Sequence, residues 1–143
     1  MNILRNTLAV LVGLVLGSVV NMGLIVLGPS LIPPPVGVNV DDLESIAASI
    51  HLYEVKHFIF PFLAHSLGTL IGALVAFLVA ASHREAMAWV IGVATLAGGI
   101  FASVVIPAPT WYIAVDLLLA YLPMTYLAIL LGRRLGAKAE PTP

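Results

Sequence analysis

Three side chains in an otherwise apolar chain have the chemistry for a site: Asn21, His65 and Asp116. Each lies inside a run long and apolar enough to be a membrane-crossing helix. Polar groups there are expensive and are functional candidates by default. Asp116 is the only Asp, Glu, Lys or Arg between residues 86 and 132. An aspartate at a helix centre costs roughly 2.5–3.5 kcal/mol on insertion scales. An aspartate accepts, a histidine donates or accepts, and an asparagine does both. Such a set suits proton exchange, a bound polar ligand, or simple cohesion between helices. Ser66, Thr69, Tyr121, Thr125 and Tyr126 are milder polar groups in the same runs, and Glu54 and His57 stand at a rim beside Lys56.

Neither a metal nor a nucleophile follows from the spacing. Glu54 and His57 form an i, i+3 pair, but His65 lies about 12 Å further along a helix, too far for one ion to bridge. Ser66 adjoins His65, yet neighbouring helical positions point about 100° apart. With no cysteine in the chain, thiolate sites and disulfides are excluded. No metal, cofactor or catalytic residue is expected. The alternative reading of His65 is a core histidine bonded to a neighbouring helix. For Asp116 it is a carboxyl bonded to that histidine or to Asn21.

The elements that must position these groups are four apolar spans. Of 143 residues 61% are hydrophobic and 9% charged, against about 25% charged in a soluble domain; mean hydropathy is +1.10. Lipid must be part of the solvent. The net charge of −1 speaks against a nucleic-acid partner. Residues 57 to 81 contain no Asp, Glu, Lys or Arg, enough for roughly 37 Å of helix. Spans are predicted at 7–27, 57–81, 86–106 and 111–131. The first is longer than a signal-peptide apolar core of about 7–15 residues, and no A-x-A-like site follows it. The expected fold is an all-α, four-helix polytopic membrane domain over 1–132, with a flexible tail at 133–143.

Small residues recur at every fourth position: Ala64, Gly68, Gly72, Ala76 and Ala80 in the second span, and Ala9, Gly13 and Gly17 in the first, with Asn21 continuing that ridge. Small faces let helices approach closely in lipid, so these two spans are expected to pair. Residues 28–56 form the long loop between them. Pro33, Pro34 and Pro35 keep its start extended and outside the hydrocarbon. Asp41 and Glu44 suggest a capping box for a short amphipathic helix over 41–53. Asn21, His65 and Asp116 sit roughly 9, 12 and 8 Å below the same membrane boundary at 1.5 Å per residue. They are expected to converge in one layer beneath that helix.

Arg5, Arg84, Arg133, Arg134 and Lys138 flank one side of the spans and only Lys56 the other. The positive-inside rule then places both termini in the cytoplasm, with the plasma (inner) membrane as the location. The strings NMGLIVLGPSLIPPP (21–35) and HLYEVKHFIFPFLAH (51–65) resemble an uncharacterised family of small bacterial membrane proteins with four predicted spans. The resemblance implies a bacterial origin and no particular activity. Three function classes remain. The first is a structural or assembly subunit, packing with its own copies or into a larger membrane complex; the abundance of small-residue ridges favours it. The second is a small-solute or proton-linked transporter or channel using the polar layer. The third is a membrane enzyme on a lipophilic substrate, which a pocket open sideways to lipid would favour. Enzymatic activity is the less favoured side of that choice.

Overall fold

A computed structural model describes residues 2–106 and 108–137. They form an all-α bundle. Helix α1 runs over Asn2–Leu31, α2 over Leu43–Ser49, α3 over Ile59–Val79, α4 over Arg84–Val105, α5 over Thr110–Leu119 and α6 over Leu122–Ala137. The stretches Asn2–Leu31, Val55–Val79, Arg84–Val105 and Thr110–Gly136 are each long and apolar enough to cross a membrane. The chain is a multi-pass membrane protein with a short amphipathic helix in its first loop. Below, the cap end is the end carrying the 32–58 loop, and the basic end is the other.

Burial is deepest in the span containing α3, at 44%, and shallowest in α1, at 11%. Helix α3 is therefore the hub, and α1, α4 and α6 pack around it. Backbone closeness makes the α1–α3 pair. A methyl group built on Gly13 would lie 2.6 Å from the carbonyl oxygen of Gly72, and one on Gly17 would lie 2.7 Å from that of Gly68. The reciprocal positions on Gly68 and Gly72 are 2.9 and 2.8 Å from the carbonyl oxygens of Gly17 and Gly13. Rising numbers on α1 meet falling numbers on α3, so the pair is antiparallel. Ala9, Ala64, Ala76 and Ala80 are fully buried. Without water to drive burial, such van der Waals contact is what holds membrane helices together.

Toward the basic end the bundle is packed with apolar side chains. Ala73, Ala76, Phe77, Ala88, Ile91, Ala128 and Ile129 form one buried cluster, with Val10, Leu14, Leu70, Leu74 and Met87 packed on it. Below it, Asn6 holds the α3–α4 turn: its Oδ1 accepts from the backbone N–H of Ala81 at 2.9 Å, and its Nδ2 donates to Ser82 at 3.1 Å. Arg5 donates to the Val79 carbonyl at 2.9 Å, one of the four acceptors a helix end leaves open.

The structure corrects the sequence reading at several boundaries. The predicted fourth span, 111–131, is two helices. Pro123 lacks an N–H and its ring excludes the carbonyl of residue 119; α5 ends at Leu119 and α6 starts at Leu122. Helix α6 then runs on to Ala137, so residues 133–137 are helix rather than tail; 138–143 lie outside the described residues. Helix α1 exceeds its predicted 7–27 at both ends. The amphipathic helix is shorter than 41–53, and its cap is Asp42, whose side chain accepts from Glu44 N–H at 3.0 Å. Arg84 and Glu85 open α4.

Candidate functional site

His65 stands on α3, one position beyond the buried Ala64, and so faces the gap beside the α1 contact. Asp116 stands on α5 and is 4% exposed. The two meet: His65 Nδ1 lies 2.9 and 3.0 Å from the two carboxylate oxygens of Asp116. A carboxylate only accepts, so Nδ1–H is the donor. In the neutral ring Nε2 is then an acceptor. It makes no hydrogen bond among the described residues, and the side chain is 23% exposed.

Tyr121 completes the group, donating its hydroxyl to Asp116 Oδ2 at 2.9 Å. In an unbroken helix residues 116 and 121 would point about 140° apart at 3.6 residues per turn. The break before Pro123 turns Tyr121 back. Its ring stacks on His65 at 5.8 Å between centroids and 28° between planes. It also presses on Gly99, where any side chain would collide with it. Sequence reading counted Tyr121 only among the milder polar groups. The signal that could have promoted it is Pro123, a helix breaker two residues on. Thr125 bonds back to the Tyr121 carbonyl, and Tyr126 is exposed.

Asn21 does not join this network. It is half-buried on α1 with its Cβ close to Gly68, and its amide bonds to neither His65 nor Asp116. Glu54 and His57 are separate again. Glu54 pairs with Lys56 at 3.0 Å on the surface. His57 Nδ1 accepts from Glu54 N–H at 2.9 Å, so Nε2 carries the proton and donates to the Pro33 carbonyl at 3.1 Å. His57 thus ties the proline-rich loop to the entry of α3. Replacing it with alanine removes two bonds worth about 1 kcal/mol each. Amide exchange at Glu54 and across 36–42 is expected to speed up several-fold, and unchanged exchange there would remove His57 from this role. Among the described residues no three His, Asp or Glu side chains gather as metal ligands.

Two cavities meet at His65. The larger, of about 540 Å³, lies under α2: Leu43, Ile46 and Ile50 roof it, and His65, Asp116 and Tyr112 are in its wall. Its lining is overwhelmingly apolar. Met22 and Val26 of α1 line it and are 59% and 67% exposed, and Ala102 and Ser103 of α4 line it as well. The smaller, of about 310 Å³, continues toward the middle of the bundle, with Ser18, Asn21, Thr69, Thr95 and Tyr121 in its wall. Ile91, part of the apolar cluster, also lines it, and among the described residues none nearer the basic end lines either cavity. The hydroxyls of Ser66 and Tyr112 are buried without a hydrogen-bond partner among the described residues. Ser66 lines neither cavity. Chemically, this arrangement accepts a hydrogen bond or a proton at Nε2 and holds an apolar body beside it.

Comparison with protein-family models, curated proteins and solved structures finds no match, so the geometry alone carries the functional reading.

Proposed function

We propose that this protein is an intramembrane binding protein for an uncharged lipophilic molecule. The ligand enters from the bilayer between α1 and α4, lies under α2, and presents its polar group to His65. The observation that carries this reading is the apolar cavity bordered by exposed residues of α1, with an oriented histidine in its wall: the body is matched by the lining, the polar group by a free Nε2. Ligand sites are commonly apolar clefts of about 300–1,000 Å³ with a few placed polar groups. The Asp116 carboxylate supports the reading by fixing the tautomer, since a buried acid with two donors stays in place whether or not the site is filled.

The transporter reading draws less support, because the cluster around Phe77 and Ile91 closes the basic half. The assembly reading keeps one observation. Most glycines of the spans are used inside the chain, but Gly23 on α1 has open space at its Cβ position and lines neither cavity, and Val19 one turn away is 62% exposed. A second copy could pack there. The bilayer is the protein's environment in either case. The cation bias of the sequence supports cytoplasmic termini, and the resemblance of residues 21–35 and 51–65 supports a bacterial plasma membrane as the protein's place. A reporter active only outside the cytoplasm, fused after Pro143, is expected to stay silent; a bright signal would invert the topology.

Native mass spectrometry of the protein released from membrane nanodiscs tests the binding reading. One hydrophobic adduct per chain is expected. Ser103, on the wall of the larger cavity, gives the control: Ser103→Trp fills the space and is expected to abolish the adduct. An adduct that survives Ser103→Trp, or none in the parent protein, would sink the reading.

A further inference from the structure

The smaller cavity differs from the larger in chemistry, and the difference identifies the part of a ligand it takes. Beside the exposed Ser18, its wall carries three further polar groups that find no partner among the described residues. One is His65 Nε2. A second is the Asn21 amide, which makes no hydrogen bond although the residue is half-buried. The third is the Thr69 hydroxyl. Thr95 and Thr125 bond back to carbonyls of their own helices; Thr69 does not, while the residue is only 1% exposed. These groups are not sealed off like the hydroxyls of Ser66 and Tyr112; they face one space, where a bound molecule can pair with all three.

The set also says what that molecule is. Asn21 offers two donors and an acceptor, Thr69 one donor and an acceptor, and Nε2 an acceptor. Among the described residues no Lys, Arg, Asp or Glu lines the smaller cavity. A phosphate or sulfate head would find no cation there, and an ammonium head no carboxylate: the oxygens of Asp116 are already taken by His65 and Tyr121. A charge in this position, deep between spans, would be costly. A neutral head with hydroxyls meets every requirement. One O–H donates to Nε2, and a neighbouring oxygen accepts from the Asn21 amide or the Thr69 hydroxyl. The apolar chain of the same molecule continues into the larger cavity, which begins at the shared residues Met22, His65, Gly99 and Ala102.

We infer that the smaller cavity, walled by Asn21, His65 and Thr69, holds the uncharged, hydroxyl-bearing head of a glycerol-like lipid whose chain lies in the larger cavity. Asn21 and Thr69 are then specificity residues for the head. This assignment rests on the binding reading above, and the test keeps the two apart.

The probes are 1-O-hexadecylglycerol, its 2,3-di-O-methyl derivative and hexadecylphosphocholine, each titrated into purified protein in detergent and followed by native mass spectrometry and thermal melting. The glycerol ether is expected to bind about tenfold more tightly than its dimethyl derivative, the value of one or two hydrogen bonds, and more tightly than the phosphocholine. Asn21→Leu and Thr69→Val are close in shape to the parent residues. Because neither polar group bonds within the protein, melting of the free variants is expected to stay level or rise. Their preference for free hydroxyls is expected to shrink to about twofold. A purely structural role would give the opposite: lower melting with the preference intact, and that result would overturn the assignment. Equal binding of the glycerol ether and its dimethyl derivative would overturn the head chemistry while leaving the lipophilic chamber standing. Tighter binding of the phosphocholine would do the same. No binding of any probe would remove both.

Discussion

Gly72→Leu is expected to separate α1 from α3 and to lower stability by about 3 kcal/mol, the upper part of the usual overpacking range. The reason is what the new side chain would meet. The Cβ position of Gly72 lies 2.8 Å from the Gly13 carbonyl oxygen, 3.2 Å from Ile91 Cγ2 and 3.4 Å from Gly17 Cα. Two of the three are backbone atoms, which cannot rotate away as the end of a side chain can. The whole helix must move, and with it the contacts above and below. Even Gly72→Ala is expected to cost about 1–2 kcal/mol, although alanine has the better helix propensity by about 1 kcal/mol. Gly23 supplies the comparison. It lies on α1 with open space at its Cβ position, so Gly23→Ala is expected to leave stability level or raise it. Thermal melting of the three variants in one detergent decides the matter. If Gly72→Leu melts with the parent protein, α1 does not seat against α3 as described.

The second large effect is expected at Asp116. Its carboxylate accepts from a histidine on α3 and from a tyrosine in the α5–α6 break. Asp116→Ala removes both bonds and strands the Nδ1–H of His65 and the hydroxyl of Tyr121 away from water. Hydrogen bonds between membrane helices measure about 0.6–1.7 kcal/mol, and a stranded donor adds its own penalty, so a loss of about 2–4 kcal/mol is expected. Asp116→Asn keeps the shape and an acceptor oxygen, and is expected to lose less than half as much. A double-mutant cycle with His65→Phe isolates the pair: a coupling near zero would mean that the two side chains do not depend on each other. The pairing also bears on binding. In Asp116→Asn the amide can donate to Nδ1, which turns Nε2 into a donor. A lipid hydroxyl that depends on Nε2 as acceptor is then held more weakly even though the helix bundle survives.

Chain composition and residue spacing determined a good deal of this. Twenty-five consecutive residues without a charge fix a membrane span because no soluble core can hide them. The four-residue recurrence of Gly and Ala marks the face of α3 that α1 approaches, because helical period and residue size are local properties. Depth was also readable. His65 and Asp116 stand at similar distances from the starts of two spans that run in the same direction, and counting residues at 1.5 Å each places them at one level. Depth does not supply rotation, however. Asn21 shares the level, yet its helix turns it to the wall of a cavity rather than to the carboxylate, because the Gly13–Gly17 contact with α3 sets the rotation of α1. Tyr121 came to Asp116 only through the break at Pro123; the proline is visible in the chain, but the direction in which the broken helix turns is set by packing against Gly99 and Gly92 of α4. The cavities were beyond reach for the same reason. An empty space belongs to no residue: it exists where α1 and α4, each held by α3, diverge beneath α2, and only the assembled bundle decides how far apart they stand.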